Sequence, residues 1–240
     1  MEYNLSKFKD TLSEWNIELD ENQIQQFVQY YEMLIEKNKV MNLTTITEFD
    51  QVIEKHFLDS ISLGLAMNLH QNLKMIDLGT GAGFPGIPLK IAFPELQITL
   101  ADSLNKRVLF LQEVIDALKL TKIEAVHGRA EELARNVGYR EQYDLCVSRA
   151  VANLATLSEY CLPFISISGK FVSYKSGEIE EEVNDAKMAI ATLGGKVSNI
   201  HQFSFGDNEL HRSFVVIKKV KKTPKTYPRK AGTPSKQPIA

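Results

Sequence analysis

"KMIDLGTGAGFPGIPLKIAFP", Lys74 to Pro94, is the stretch whose reading decides the fold. A short apolar run, Met75 to Leu78, gives way to four glycines within eight residues: Gly79, Gly81, Gly83 and Gly86. Pro85 and Pro88 then stand where a helix would begin. Strand, glycine turn and helix start make the opening unit of an α/β sheet that holds a ligand at its carboxyl edge.

Working outward, the pattern repeats. Six more apolar segments follow "LKMIDL": "LQITLAD", "KIEAV", "YDLCVS", "KFVSYK", "KVSNIHQFSF" and "SFVVIKKV". Helical spacings fill the gaps, with Val108, Leu111, Val114, Ile115 and Leu118 in one and Ile179, Val183, Ala186, Ile190 and Leu193 in another. Such alternation means a parallel sheet with helices on both faces. The last two strands break the rhythm. Only "GDNELHR" separates them, too short for a helical crossover, so they must pair antiparallel. Before the sheet, residues 1–70 read as a helical extension, with Asp20 as the cap of an amphipathic helix through Ile24, Phe27, Val28, Tyr31, Leu34 and Ile35. Residues 71–220 form the core domain. Residues 221–240, rich in lysine and proline, are expected to leave the last strand as an extended tail.

Composition excludes several classes. No apolar run approaches the roughly 20 residues of a membrane-spanning helix, and the N-terminal sequence has no signal-peptide core. Two cysteines, Cys146 and Cys161, without metal spacing, and five scattered histidines predict a cytoplasmic protein with no metal. The net charge of −2 hides an asymmetry: residues 218–240 carry eight Lys/Arg and no Asp/Glu, leaving 20 basic against 30 acidic side chains elsewhere. A basic tail on an acidic body points either to a polyanionic partner or to a solubilising end.

Two ligands fit the glycine loop. Gly81-x-Gly83-x-x-Gly86 matches the dinucleotide fingerprint, whereas Asp77-x-Gly79-x-Gly81-x-Gly83 matches the acidic-x-G-x-G-x-G loop of methyltransferases. Asp77 would repel a pyrophosphate and attract the ammonium of S-adenosylmethionine (AdoMet). Two prolines remove N–H groups from the anion cradle that a pyrophosphate uses. Seven strands ending in a hairpin also match the Rossmann-like AdoMet-dependent methyltransferases. Asp102, 23 residues after Gly79, suits the ribose hydroxyls of either cofactor or caps the next helix. Glu131 stands where the adenine is read, or is an ordinary first-turn glutamate.

The acceptor atom leaves fewer traces. The segment after the fourth strand, "VSRAVANL", lacks the Pro-Pro loop used for exocyclic amino groups, and both cysteines fall in core patterns, which disfavours pyrimidine C5. A purine N7 carries its own lone pair and needs no base. Arg149, at the carboxyl edge, suits a phosphate, the cofactor carboxylate or the face of a base. His56, Asp59 and Ser60 share one helical face, as an acceptor pocket or as a packing seam.

"NKVMNLTTI" (38–46), "HFLDS" (56–60), "IDLGTGAGFPGIPLKI" (76–91), "SRAV" (148–151) and "YPRKAGTPSKQPI" (227–239), in this order, resemble the RsmG (GidB) family. These are bacterial AdoMet-dependent methyltransferases of a guanine N7 in 16S ribosomal RNA. The resemblance implies AdoMet contacts at Gly79, Phe84, Ala130, Glu131 and Arg149; Asp77, Gly81 and Asp102 are added from the general methyltransferase pattern. It implies a monomer acting on 16S rRNA, the 30S subunit or an assembly intermediate, with Lys222, Lys225, Arg229 and Lys230 gripping RNA. The competing readings are a small-molecule methyltransferase, an NAD-dependent oxidoreductase and a non-catalytic RNA binder.

Overall fold

The computed structural model describes residues 3–149, 152–206 and 209–239. Ala150 and Val151 of the 148–151 motif and Asp207 and Asn208 of the strand turn lie outside the described residues.

Two helices come first, α1 (Ser6–Glu14) and α2 (Glu21–Met41). Asp20 starts α2 with a reciprocal cap: Gln23 N donates to Asp20 Oδ1 at 2.7 Å, and Asp20 N donates to Gln23 Oε1 at 2.8 Å. The third helical path is broken into α3 (Phe49–Val52), a π-helical turn (Ile53–Leu58), α4 (Asp59–Ile61) and α5 (Leu63–Ala66). The sequence after Asp50, "QVIEKHFLDSISLGLAM", reads as one uninterrupted helix. Ser60 Oγ donates to His56 O at 2.5 Å, a side-chain bond that competes for a carbonyl of the helical ladder.

The alternating part runs β1 (Lys74–Leu78), α6 (Gly86–Ala92), β2 (Gln97–Asp102), α7 (Asn105–Ala117), β3 (Ile123–His127), α8 (Ala130–Leu133), β4 (Tyr143–Ser148), α9 (Leu154–Cys161), β5 (Ile165–Ser176), α10 (Glu180–Asp185), α11 (Lys187–Thr192), β6 (Gly195–Phe205) and β7 (Leu210–Lys219). All seven expected strands form one sheet of order β3-β2-β1-β4-β5-β7-β6, with β7 antiparallel to both neighbours. β5 begins earlier than its sequence pattern, because a register irregularity opposite Tyr143 lets Ile165 join the ladder. The order reverses between β1 and β4, which opens the ligand crevice at their carboxyl ends.

Side chains alternate across the sheet. Met75 faces a core made with α1, α2, α6 and α7, which includes Phe8, Phe27, Tyr30, Leu34, Ile87 and Leu111. Ile76 and Leu78 face the other, with Leu154, Leu157 and Ile190 of α9 and α11. The N-terminal helices thus pack on the face that carries α6 and share its core.

The C-terminal segment departs from expectation. It does not run away from the sheet but folds back over α9, ending in a short helix α12 (Thr233–Lys236). Its prolines offer carbonyls without N–H partners, and buried-side donors take them. Arg140 donates to Thr223 O and Tyr227 O, both at 3.0 Å, and Arg135 donates to Pro228 O at 2.6 Å. Thr156 Oγ1 donates to Pro234 O at 3.1 Å. Arg229 pairs with Glu159, only 1% exposed, through Nε at 3.0 Å and Nη2 at 2.7 Å. A carboxylate buried that deeply requires a partner.

Candidate active site

The glycine loop is held from below and from the side. Asp77 lies on the same face of β1 as Met75, so it points under α6 and is fully buried. Its Oδ2 accepts from Thr80 Oγ1 at 2.6 Å and from Gly86 N at 2.8 Å. Burial lifts its carboxyl to about 6, against those two hydrogen bonds and Arg149, which pull it down. Asp77 therefore clasps the loop and does not line a cavity, which corrects its assignment as a direct cofactor contact. The strand alternation would have revealed this. From the side, Tyr30 Oη donates to Ala82 O at 2.6 Å. Gly83 (φ +110°) permits that approach, since a Cβ there would lie 2.7 Å from the same hydroxyl.

The loop's N–H groups settle which ligand it suits. Gly79 and Thr80 donate to Ala101 O, Gly81 to Asp102 Oδ2, Gly83 and Phe84 to Thr80 O, Gly86 to Asp77 and Ile87 to Gly83 O. All seven point inward at protein acceptors. Pro85 and Pro88 have none to give. A pyrophosphate would find no cradle of free donors here.

Above the loop lies a cavity of about 380 Å³, lined among others by Gly79, Asp102, Ala130, Glu131, Ser148 and Gly232. Asp102 ends β2 and accepts from Gly81 N at 3.0 Å and Leu104 N at 2.9 Å, one on each oxygen. Oδ2 also meets Arg107 Nη1 at 3.4 Å, so Oδ1 is the oxygen that keeps a second lone pair for a ligand hydroxyl. Glu131, 6% exposed in the first turn of α8, accepts from Gly232 N at 2.9 Å. Two acceptor carboxylates and a loop whose N–H groups are mostly taken internally fit a ligand rich in hydroxyl and amino donors, as AdoMet is. Gly81 adjoins the cavity through Asp102.

Arg149 lines a second cavity of about 700 Å³, together with His56, Asp59, Tyr174, Lys175 and Arg212, and Phe84 is buried behind it. Arg149 Nη1 donates to Asp59 Oδ2 at 2.8 Å, and its guanidinium lies 5.1 Å from the centre of the Phe84 ring. His56 stacks on the same ring, 4.5 Å away. Arg212 Nε donates to Asp59 Oδ1 at 2.5 Å. His56 is pushed down to about 4, first by burial and then by the Arg149 charge, so it is neutral at physiological pH. His56 Nδ1 lies 3.1 Å from Lys55 O and 3.2 Å from Arg149 Nη2, and Nε2 lies 2.8 Å from Thr44 Oγ1. His56 and Asp59 thus line a cavity, whereas Ser60 is fully buried against the helix.

Arg212, Tyr174 and Lys175 were missed in sequence. Antiparallel pairing supplied the signal: the start of β7 must lie at the carboxyl end of β5, where Ser176 faces Arg212. Ala152 lines both cavities, and consecutive residues, Ser148 and Arg149, line one each. In the tail, Lys222, Lys225 and Lys230 are exposed, but Arg229 is tied to Glu159 and is not available for phosphate. Among the described residues no cluster of three His, Cys, Asp or Glu side chains could hold a metal, and no helix is long and apolar enough to cross a membrane.

Known proteins share both fold and sequence. A solved structure of M. jannaschii TYW2 in complex with AdoMet superposes with a TM-score of 0.56 at 15% identity, covering 73% of this chain and 80% of that one. A SAM dependent methyltransferase from Aquifex aeolicus gives 0.55 at 16% identity, covering 75% and 97%. Both share the fold. In sequence, the chain is 51% identical over 234 residues to the ribosomal RNA small subunit methyltransferase G of Lachnoclostridium phytofermentans, covering 98% of this chain and 97% of that protein. It is 47% identical over 236 residues to that of Bacillus subtilis strain 168, covering 98% and 99%. The family model for rRNA small subunit methyltransferase G matches residues 23–211, which include the glycine loop and most of the lining of both cavities. The chain belongs to that family, rRNA small subunit methyltransferase G.

Proposed function

We propose that this chain transfers a methyl group from AdoMet to N7 of a guanine in 16S rRNA of the small ribosomal subunit, and that it acts in the cytoplasm. When bound, AdoMet supplies an electrophilic methyl on a sulfonium, which a lone pair displaces directly. The chain's residues then have two tasks, positioning and exclusion of water. Asp102 and Glu131 would accept from the donor's hydroxyl and amino groups in the smaller cavity. In the larger one, His56, backed by the Phe84 ring, offers a stacking face to an unpaired base. A guanidinium on the O6/N7 edge would cover the nucleophile. Arg149 and Arg212 are therefore assigned to backbone phosphate, where their joint charge exceeds that of Asp59. Neutral His56 adds no repulsion to the purinium that forms. No side chain is needed as a base, since N7 holds no proton.

One observation carries this reading: the two cavities adjoin through Ala152 at the switch between β1 and β4. Separate steady-state measurements test it. Asp102→Ala should raise KM for AdoMet with KM for rRNA little changed, and Arg212→Ala should do the reverse. If both variants moved the same constant, the division of labour would be wrong.

A further inference from the structure

The C-terminal segment makes a wall of the smaller cavity. Gly232 and Ser235 line it, opposite Asp102. Gly232 sits at φ +79°, where an added Cβ would meet nothing within 4 Å. Its N–H donates to Glu131 Oε1 at 2.9 Å, bridging 101 residues of chain. That bond fixes one oxygen of Glu131 and leaves Oε2 for a ligand. The approach is enforced from both sides. Upstream, Arg229 grips Glu159 with backbone N (2.7 Å), Nε and Nη2. Downstream, Thr156 holds Pro234 O, and Arg229 Nη2 also donates to Gln237 O at 2.7 Å. Five tail groups are thus committed inward, more than a loosely tethered RNA arm requires.

We infer that residues 229–235 are part of the methyl-donor site, in which Gly232 is a positioning residue that orients Glu131 toward the adenosine end of the donor while the segment closes that end from water. This rests on the reading of the smaller cavity as the AdoMet pocket. Arg229 acts on the donor, not on RNA: its ion pair anchors the segment. The exposed Lys222, Lys225 and Lys230 remain on the outside, so the two sides of one segment serve different ligands.

Full-length variants test it by calorimetric titration with S-adenosylhomocysteine and by separate KM values for AdoMet and rRNA. Gly232→Pro removes the N–H and, since proline holds φ at about −65° against the +79° of Gly232, also turns the segment away from Glu131; Arg229→Gln releases the anchor. Each should weaken S-adenosylhomocysteine by about tenfold, the usual scale for a lost charge-assisted hydrogen bond. KM for AdoMet should rise with it, while KM for rRNA stays within about twofold, inside the scatter of a surface change. Combined with Glu131→Ala, Gly232→Pro should add nothing, because both act through one carboxylate. Wild-type affinity in both single variants would overturn the proposal. So would full additivity in the double variant. A wild-type chain that bound no S-adenosylhomocysteine would remove the cavity reading itself, a different failure. Should Gly232→Pro lose its cooperative melt, Arg229→Gln decides alone.

Discussion

Arg149 and Asp59 meet at 2.8 Å across 90 residues of sequence, and the second Asp59 oxygen is taken by Arg212 at 2.5 Å. One buried carboxylate thereby orients two guanidinium groups from the ends of β4 and β7 toward the larger cavity. Asp59→Ala leaves both cations without their counter-charge, and losing one partner of a buried pair costs about 3 kcal/mol or more. The expected outcome is a clear fall in Tm together with loss of methyl transfer to rRNA. Asp59→Asn keeps the shape, and should raise KM for rRNA with a smaller change in Tm. Normal kinetics in Asp59→Asn would show that the arginines are not set by this charge.

Asp77 gives a pH signature. Its carboxyl is raised to about 6 from 3.8, chiefly by burial. A raised folded value favours the protonated folded form, so its contribution to stability is full below 3.8 and fades as pH rises through about 6. Across that window the contribution is on the order of 3 kcal/mol. Asp77→Asn abolishes the titration. The Tm of wild type minus that of Asp77→Asn should therefore decrease as pH rises through this window. A flat difference would mean that Asp77 titrates as an ordinary carboxyl.

Tyr30 buttresses the loop from α2 through its 2.6 Å bond to Ala82 O. Tyr30→Phe removes the donor and leaves a buried carbonyl short of a partner, at a cost of about 1–3 kcal/mol. The Tm should fall, and KM for AdoMet should rise because the loop loosens. An unchanged KM would confine α2 to a packing role.

Much of this was legible before any coordinates. The seven strands and their mostly parallel pairing follow from apolar runs alternating with helices, and the short connection before the last strand forced the antiparallel pair. Asp20 marked the start of its helix. What escaped depends on tertiary partners. Asp77 was placed against the ligand because its position along β1 was read without its face. The ion pair of Arg149 with Asp59 was not legible, because the two lie 90 residues apart. The tail looked unstructured because proline and lysine dominate it. Its order comes from Arg135, Arg140 and Glu159, donors and an acceptor far away in sequence, and no local pattern announces them.

The outward lysines should govern salt dependence. Lys222, Lys225 and Lys230 are exposed on the folded-back segment. If each neutralises an RNA phosphate, replacing all three with alanine should lower the slope of log Kd for rRNA against log salt by about 2, on a scale of roughly 0.7–0.9 per contact. S-adenosylhomocysteine affinity should not change. An unaltered slope would exclude these lysines from the RNA contact.

The central claim is the transfer itself. The purified chain, methyl-labelled AdoMet and 16S rRNA or 30S subunits free of 7-methylguanosine are incubated together, and the labelled rRNA is digested to nucleosides for mass spectrometry. The account predicts label in 7-methylguanosine from a single rRNA position, lost on Asp102→Ala at limiting AdoMet. Label on an exocyclic amino group, on a pyrimidine or on no rRNA nucleoside at all would contradict it.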